Sequence, residues 1–527
     1  MEEGQTSSSV ASQFILNYTD LPYYLQACLT YCCVFPENYW IPEGKLIRLL
    51  VAESLVQEKP GKIMEDIADE NINILINQGM LQVNNDNRGQ GTMLTVTSSY
   101  RCKIVEDNFI TASAHSASTT TIPHNARRVS IYSEMATVAP LLNNIRPRSL
   151  FFLGTQDLSS DPENWLNFNW AKFVRVMDLE RTKIESLPDG VGDLIHLRYL
   201  GLKHTGINNL PARIGNLRAL QTLDIRWCGD LTALPVEVLN LAQLRHIKMY
   251  KRIKVGGVKL PPGIGRLRNL LTLTGIHASA GIARELHNLI HLRRLGVMDV
   301  AEENAVELFA SIMMMQNLLS LSLEAKHTFN RETLVLLDTF SPPPLLRKLR
   351  LEGLLKKMPN WIGSMESLTN LRLGFSYLSE NPALVLQLLP NLKNLIMWHA
   401  YDVKQLGKEF CRAGGFPKLE VLIIASHVLE EWTELEEGAL PSLKYLHLHN
   451  CLQLRMLPEG LQFLTTLKQL QILPLLDEHA ERLKPDGGEE NYKISHIPQV
   501  SFIPMSVLRN SCQLPPCRPQ EEGEQHG

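Results

Sequence analysis

From about Phe173 to about Leu473 the aliphatic residues return in one pattern, L-x-x-L-x-L, with a period of roughly 22 to 28 residues. Three successive units read FVRVMDLERTKIESLPDGVGDLI, HLRYLGLKHTGINNLPARIGNLR and ALQTLDIRWCGDLTALPVEVLNLA. About thirteen such units follow one another, the middle ones irregular. Within one unit, Leu197, Leu200 and Leu202 point inward from a short strand and its entry, and Ile207, Leu210, Ile214 and Leu217 fill a return arc. Pro211 turns the chain after the strand, and Gly215 sits where bulk would crowd the turn. A lone unit leaves its apolar edge wet; stacking covers it and lines the strands into a parallel sheet.

The expected fold class is therefore α/β: a leucine-rich-repeat solenoid over 173–473, with a parallel concave sheet and short helical or irregular arcs. A net charge of -3 gives the whole chain no pull toward nucleic acid or anionic lipid. The 9 cysteines are odd in number and include no Cys-x-x-Cys, which points to a reducing compartment rather than a disulfide framework. Cys28 and Cys32, one helical turn apart beside Cys33, read as buried small apolar residues rather than as metal ligands. Residues 1–12, acidic and Ser-rich, read as disordered and not as a secretory leader, and no apolar run is long enough to span a bilayer. The expected location is cytoplasmic, with a peripheral place at the plasma membrane or a nuclear one left open.

Residues 13–110 follow another grammar. Asp20 and Pro22 start a helix whose Leu21, Leu25, Cys28, Leu29 and Cys32 recur with helical spacing. Pro42 starts a second, and a third runs from about Met64 to Asn77 and stops near Gly79. MLQV and MLTV around an Asn/Asp/Gly loop predict a β-hairpin, so the segment reads as a winged helix. Residues 111–172 are expected to be a connector that ends in degenerate first repeats, ARRVSIYSE and RSLFFLG. Residues 474–527, where the pattern fades, are expected to be mostly disordered.

The stretch FILNYTDLPYYLQACLTYCCVFPENYWIPEGKLIRLLVAESLVQE resembles the winged-helix segment of plant intracellular nucleotide-binding leucine-rich-repeat disease-resistance proteins of the coiled-coil type. That family's LPxxLKxCFLYCSIFPED and LIRLWIAEGFV phrases are matched in order and spacing, with Tyr39-Trp40 and Leu50 as small departures. MEDIADENINILINQGMLQ, RRVSIY and RSLFFLG resemble its following helix and its entry into the repeats. The family's coiled coil and nucleotide-binding core would precede Met1, so the chain is expected to be the C-terminal part of such a receptor. No G-x-x-x-x-G-K-[ST] occurs, and MLTVTSSYRCKIVEDNFITA lacks the family's Met-His-Asp or Val-His-Asp triplet. No cofactor is expected here; the family's ADP/ATP site lies in the nucleotide-binding domain. The resemblance implies a plant innate-immune role, in which the repeats recognise a pathogen effector or a guarded host protein and restrain the receptor.

A winged helix can read DNA, but residues 1–110 carry fourteen acidic side chains against seven basic ones, which repels phosphate. The expected partners are proteins: an effector, a guarded host protein, or a nucleotide-binding domain supplied in trans. The candidate surface is the outward side of the strands, at Tyr199, Lys203, Arg226, Lys248, Tyr250, Arg294, Lys348, Arg350, Arg372, Trp398, Tyr445, His447 and His449. Trp, Tyr and Arg dominate interface energetics, and Trp398 and Tyr445 are favoured as contacts. For the basic middle, an ordinary solvated sheet stays equally open. The acidic first unit (Asp178, Glu180) and the basic middle units suggest docking to a partner of opposite sign. His447 and His449 share a strand face but show no third ligand, so no metal is expected. No nucleophile elbow, H-E-x-x-H or distinctive acid pair occurs, so no enzyme is expected. The rival reading is a leucine-rich-repeat interaction scaffold outside immunity.

Overall fold

Proline places the first helices, because its fixed φ suits the residue that opens a helix and its missing N–H is not needed there. In the computed structural model, Pro22 precedes α1 (Tyr23–Cys32) and Pro42, at the end of β1 (Ile41–Pro42), precedes α2 (Glu43–Ala52). The structure describes residues 18–85, 92–98, 126–131, 145–154, 171–251, 256–279, 281–326, 332–335 and 339–507. The expectations for residues 1–12, for the hairpin tip, for most of the connector and for the last twenty residues fall outside that set. The chain divides into two units, Met1–Leu346 and Arg347–Gly527, taken here in turn.

In the first unit, α3 (Met64–Asn77) opens with Glu65 and Asp66, acids that suit the positive end of the helix, and gives way to Gly79 at φ 71°. β2 (Leu81–Asn85) and β3 (Thr92–Val96) form the antiparallel wing, and β1 pairs with β3. Leu25, Cys28, Leu29 and Cys32 from α1, Leu46, Leu49 and Leu50 from α2, and Ile67, Ile72 and Leu75 from α3 share one buried cluster. Cys28, Cys32 and Cys33 are buried free thiols inside it. This is a winged helix.

The same unit then stacks nine parallel strands among the described residues. They are β4 (Arg128–Ile131), β5 (Ser149–Phe152), β6 (Val176–Asp178), β7 (Tyr199–Gly201), β8 (Thr222–Cys228), β9 (His246–Lys251), β10 (Thr272–His277), β11 (Arg294–Val300) and β12 (Ser320–Ala325). Strands β4 and β5 fall in RRVSIY and RSLFFLG, so the sheet starts ahead of the regular repeats. Pro188, Pro211 and Pro235 each precede a 3-10 arc, at Asp189–Asp193, Ala212–Asn216 and Val236–Asn240. A Cβ on Gly215 would stand 2.7 Å from the Glu237 carbonyl oxygen, so the coils stack closely only because that position has no side chain.

The second unit continues the design with β13 (Lys348–Glu352), β14 (Asn370–Gly374), β15 (Asn394–Trp398), a short pair β16 (Gln405–Leu406) and β18 (Glu431–Trp432), β17 (Val421–Ala425), β19 (Tyr445–His449) and β20 (Gln469–Leu475). Here one expectation is corrected. The segment after 473 is ordered through Val507: α4 (Asp477–Arg482) and β21 (Gln499–Pro504) add a further coil, and β21 runs parallel to β20. Leu475, Ala480, Leu483, Ile494 and Ile497 bury the apolar end of the stack. Lys493, also buried, is held by Glu459 at 3.0 Å and Glu490 at 3.3 Å. The repeat signature fades there because helical spacing, with an ion-paired lysine, replaces the strand pattern.

Candidate protein-binding surface

Between the inward leucines, the outward positions of a parallel sheet line up in columns. In the first unit one column runs Arg128, Ser149, Val176, Tyr199, Thr222, His246, Thr272 and Arg294. The next runs Ser130, Phe151, Asp178, Gly201, Asp224, Lys248, Thr274 and Gly296.

The winged helix sits on these columns. Near β5 the contact is aromatic: Phe151 lies 5.0 Å from Phe35 and 6.3 Å from Tyr31, ring centre to ring centre. The Tyr31 hydroxyl is 3.0 Å from Ser149 Oγ, and the Ser130 hydroxyl donates to the Val34 carbonyl. Phe151, Val176 and Tyr199 belong to the same buried cluster as the winged-helix leucines. At β6 the contact is ionic. Lys45 Nζ reaches Asp178 at 2.6 Å and Glu180 at 2.8 Å, and Lys203 closes on Glu180 at 2.7 Å. Burial alone would lower the Lys45 ammonium, but the two carboxylates outweigh it and hold it well above its ordinary value.

At β9 the signs reverse. Glu65, at the start of α3, accepts from Arg245 Nε at 2.7 Å and lies 3.0 Å from His246 Nε2. Asp66 pairs with Arg293. Burial would raise Glu65; hydrogen bonds from His246 and Arg245 overcome it and hold the carboxyl at about 2. Burial pushes His246 down to about 4, so its ring is neutral near pH 7. Neutral imidazole then donates from Nε2 to Glu65 and accepts at Nδ1 from the Thr272 hydroxyl, 3.1 Å away.

These contacts correct the expected surface. Tyr199 is 1% exposed under α2 and cannot meet a visiting macromolecule. Lys203 is committed to Glu180, and Arg226 forks Asp224 at 2.7 and 2.6 Å. Lys248 is half-buried beside Asp224 in register. The acid-then-base trend along the repeats is real, but Lys45, Glu65 and Asp66 of the same chain answer it. In the sequence those three residues stand out only as members of a charge count, Lys45 among the basic side chains and Glu65 and Asp66 among the acidic ones. Tyr250 lies tilted against Trp227, ring centres 4.3 Å apart, and Arg294 is exposed.

In the second unit the outward positions serve one another. Arg350 Nε and Arg372 Nε share Glu352 Oε1 at 2.8 and 2.6 Å. The Arg372 guanidinium lies 5.9 Å above the Trp398 ring, and Trp398 stacks with His449 at 6.2 Å. Tyr445 packs on Ile396, Val421 and Ile423, three apolar outward positions that the inward-leucine pattern hides. Lys348 is exposed. His447 is corrected as a contact: it is 1% exposed, between Ile423 and Gln471 in register. Among the described residues, no three His, Cys, Asp or Glu side chains gather as a metal ion would need, and no helix is long and apolar enough to cross a membrane.

Comparison with known proteins matches this architecture part by part. Residues 148–485 match the model of a leucine-rich repeat region, and residues 34–117 match the winged helix domain of disease resistance proteins. The chain belongs to the leucine-rich-repeat proteins, and its winged helix is similar to that of disease resistance proteins. It is similar to the Arabidopsis thaliana disease resistance RPP8-like protein 4, 30% identical over 524 residues, which is 94% of this chain and 55% of that protein. It is similar also to disease resistance protein RPP8 of the same plant (30% over 525 residues, 94% and 55%) and to disease resistance protein RPM1 (29% over 514 residues, 93% and 53%). The chain thus spans about half the length of these disease-resistance relatives.

Proposed function

We propose that this chain supplies recognition and restraint in a plant innate-immune receptor. The carrying observation is that one stretch of the repeat sheet holds the chain's own winged helix, through Lys45, Glu65 and Asp66. That contact supports restraint of a family domain by the repeats. Recognition then falls to the outward face of the second unit, where Arg350, Arg372, Trp398, Tyr445 and His449 offer half-buried aromatic and guanidinium anchors. The partner is a protein, a pathogen effector or a host protein that an effector modifies. On this reading the chain acts in the cytoplasm, without catalysis and without a cofactor of its own; the names of its relatives support the part that concerns disease resistance.

The test is genetic. Disruption of the locus should cost resistance to at least one pathogen isolate, and the intact gene should restore it. The same gene carrying Trp398→Ala and Tyr445→Ala should not. If disrupted plants resist every isolate as intact plants do, the scaffold reading outside immunity replaces this one. If the double variant restores resistance fully, recognition does not use this face.

A further inference from the structure

Most of the charge between the winged helix and the repeats is complementary, but one spot is not. Arg48, on α2, is 7% exposed, and its buried Nε has no hydrogen-bond partner. Across from it, Lys248 of β9 stands between Asp224 and Thr274 in register. The charged groups that face Lys248 are Arg48, Arg226 and Arg294, against the single carboxylate of Asp224. That carboxylate is already forked by Arg226. Lys248, Arg294 and the Thr274 hydroxyl make no side-chain hydrogen bond or ion pair among the described residues. Glu43 and Asp69 face Arg294 from the winged-helix side. Gly296, the next residue in the column after Thr274, leaves the floor free of side-chain bulk.

Like charges from two domains, half removed from water, should push those domains apart. Yet Lys45 and Glu65 on either side draw them together. An anion at this spot resolves the conflict. We propose that the crevice between α2 and strands β8 to β11 binds a small tetrahedral oxyanion, of which inorganic phosphate is the representative. Arg48 and Lys248 hold it from opposite walls, Thr274 donates its hydroxyl, and the exposed Arg294 closes the outer side. Guanidinium and ammonium groups with free N–H donors match the four oxygens of such an ion. The crevice lies beneath α2, so it favours a free ion over a headgroup fixed to a bilayer. The bound ion bridges the winged helix to the repeats and strengthens their contact. This does not depend on which protein the second unit recognises.

The test uses calorimetric titration of the full chain with inorganic phosphate, at ionic strength held constant with chloride. One saturable site is expected, and Lys248→Met and Arg48→Met should each weaken it at least tenfold. Phosphate should also raise the melting temperature of the first unit by about 2 °C or more, a gain that Lys248→Met abolishes. Lys248→Met removes a repelled cation and should fold, so it carries the test even if Arg48→Met does not. Absence of saturable heat from the unmodified chain overturns the proposal, as does an unchanged site in Lys248→Met. A second arm uses phosphatidylcholine vesicles doped with phosphoinositide. Vesicle binding by a chain that ignores free phosphate would also overturn it.

Discussion

Two stretches of one repeat pattern end in opposite circumstances. From β4 to β11 the outward positions are spent on another domain: Phe151 on Phe35, Asp178 on Lys45, His246 on Glu65. From β13 to β19 the equivalent positions are spent within the ribbon: two arginines on Glu352, Arg372 on Trp398, Tyr445 on three aliphatic neighbours. The inward leucines are the same in both. What differs is whether the outward set complements a partner of fixed geometry in the same chain. A leucine-rich ribbon thus becomes a clamp or a receptor according to residues its repeat signature leaves unspecified.

The contrast is broken most sharply at Phe151. It is fully buried against two winged-helix rings, so Phe151→Ala should cost about 3 to 5 kcal/mol of the first unit's stability, read by denaturant unfolding. A loss under about 1 kcal/mol would show that the winged helix does not lean on the sheet. Next is Lys45→Met, which leaves Asp178 and Glu180 with a lost counter-ion inside the contact. About 3 kcal/mol is expected, with faster amide exchange in α2. Unchanged exchange there would mean that water already reaches the pair.

Acid should open the clamp before it touches the second unit's ribbon. His246 has a folded value near 4 against 6.5 for the free side chain, so the unfolded state takes up the proton first. Its contribution is present at neutral pH and is lost as pH falls from about 6.5 to about 4. Glu65, near 2 against 4.5, adds a second loss as pH falls from about 4.5 toward 2. Together they should remove about 3 kcal/mol or more by pH 4, and His246→Gln should flatten the upper part of that slope. A first unit whose stability is level between pH 7 and 4 would show that His246 is not held neutral.

The solenoid was legible because its physics is periodic: buried Leu200, Leu223 and Ile247 recur at fixed spacing, and one unit states the rule for the rest. The winged helix was legible from Pro22, Pro42 and Gly79, local punctuation that acts within a turn. Their contact was not. Lys45 meets Glu180 across 135 residues, and Arg245 meets Glu65 across 180. Neither pair leaves a local trace beyond the sign of a charge. Tyr199 was mistaken for an exposed contact for the same reason: an outward strand position says which side a ring is on, and nothing about what lies over it. The coil after Leu473 was missed because Lys493, Glu490 and Pro-rich spacing resemble a solvated tail until Glu459 is seen beside them.

The smallest effect on stability belongs to Trp398, and it separates the two regions best. The residue is half-buried at the last position of β15, and its ring is touched by Arg372 and His449. Truncation removes a cation–π contact and a partial stack, each worth about 0.5 to 1 kcal/mol at such a site. Trp398→Ala should therefore shift the second unit's unfolding by about 1 to 2 kcal/mol. An aromatic anchor at the centre of an interface costs more than about 2 kcal/mol when truncated. The same substitution should thus cost a recognised protein at least tenfold in affinity while leaving the fold nearly untouched. A fall in stability of about 3 kcal/mol would place Trp398 with Phe151, as part of a packed contact, and remove the distinction between ribbon and clamp.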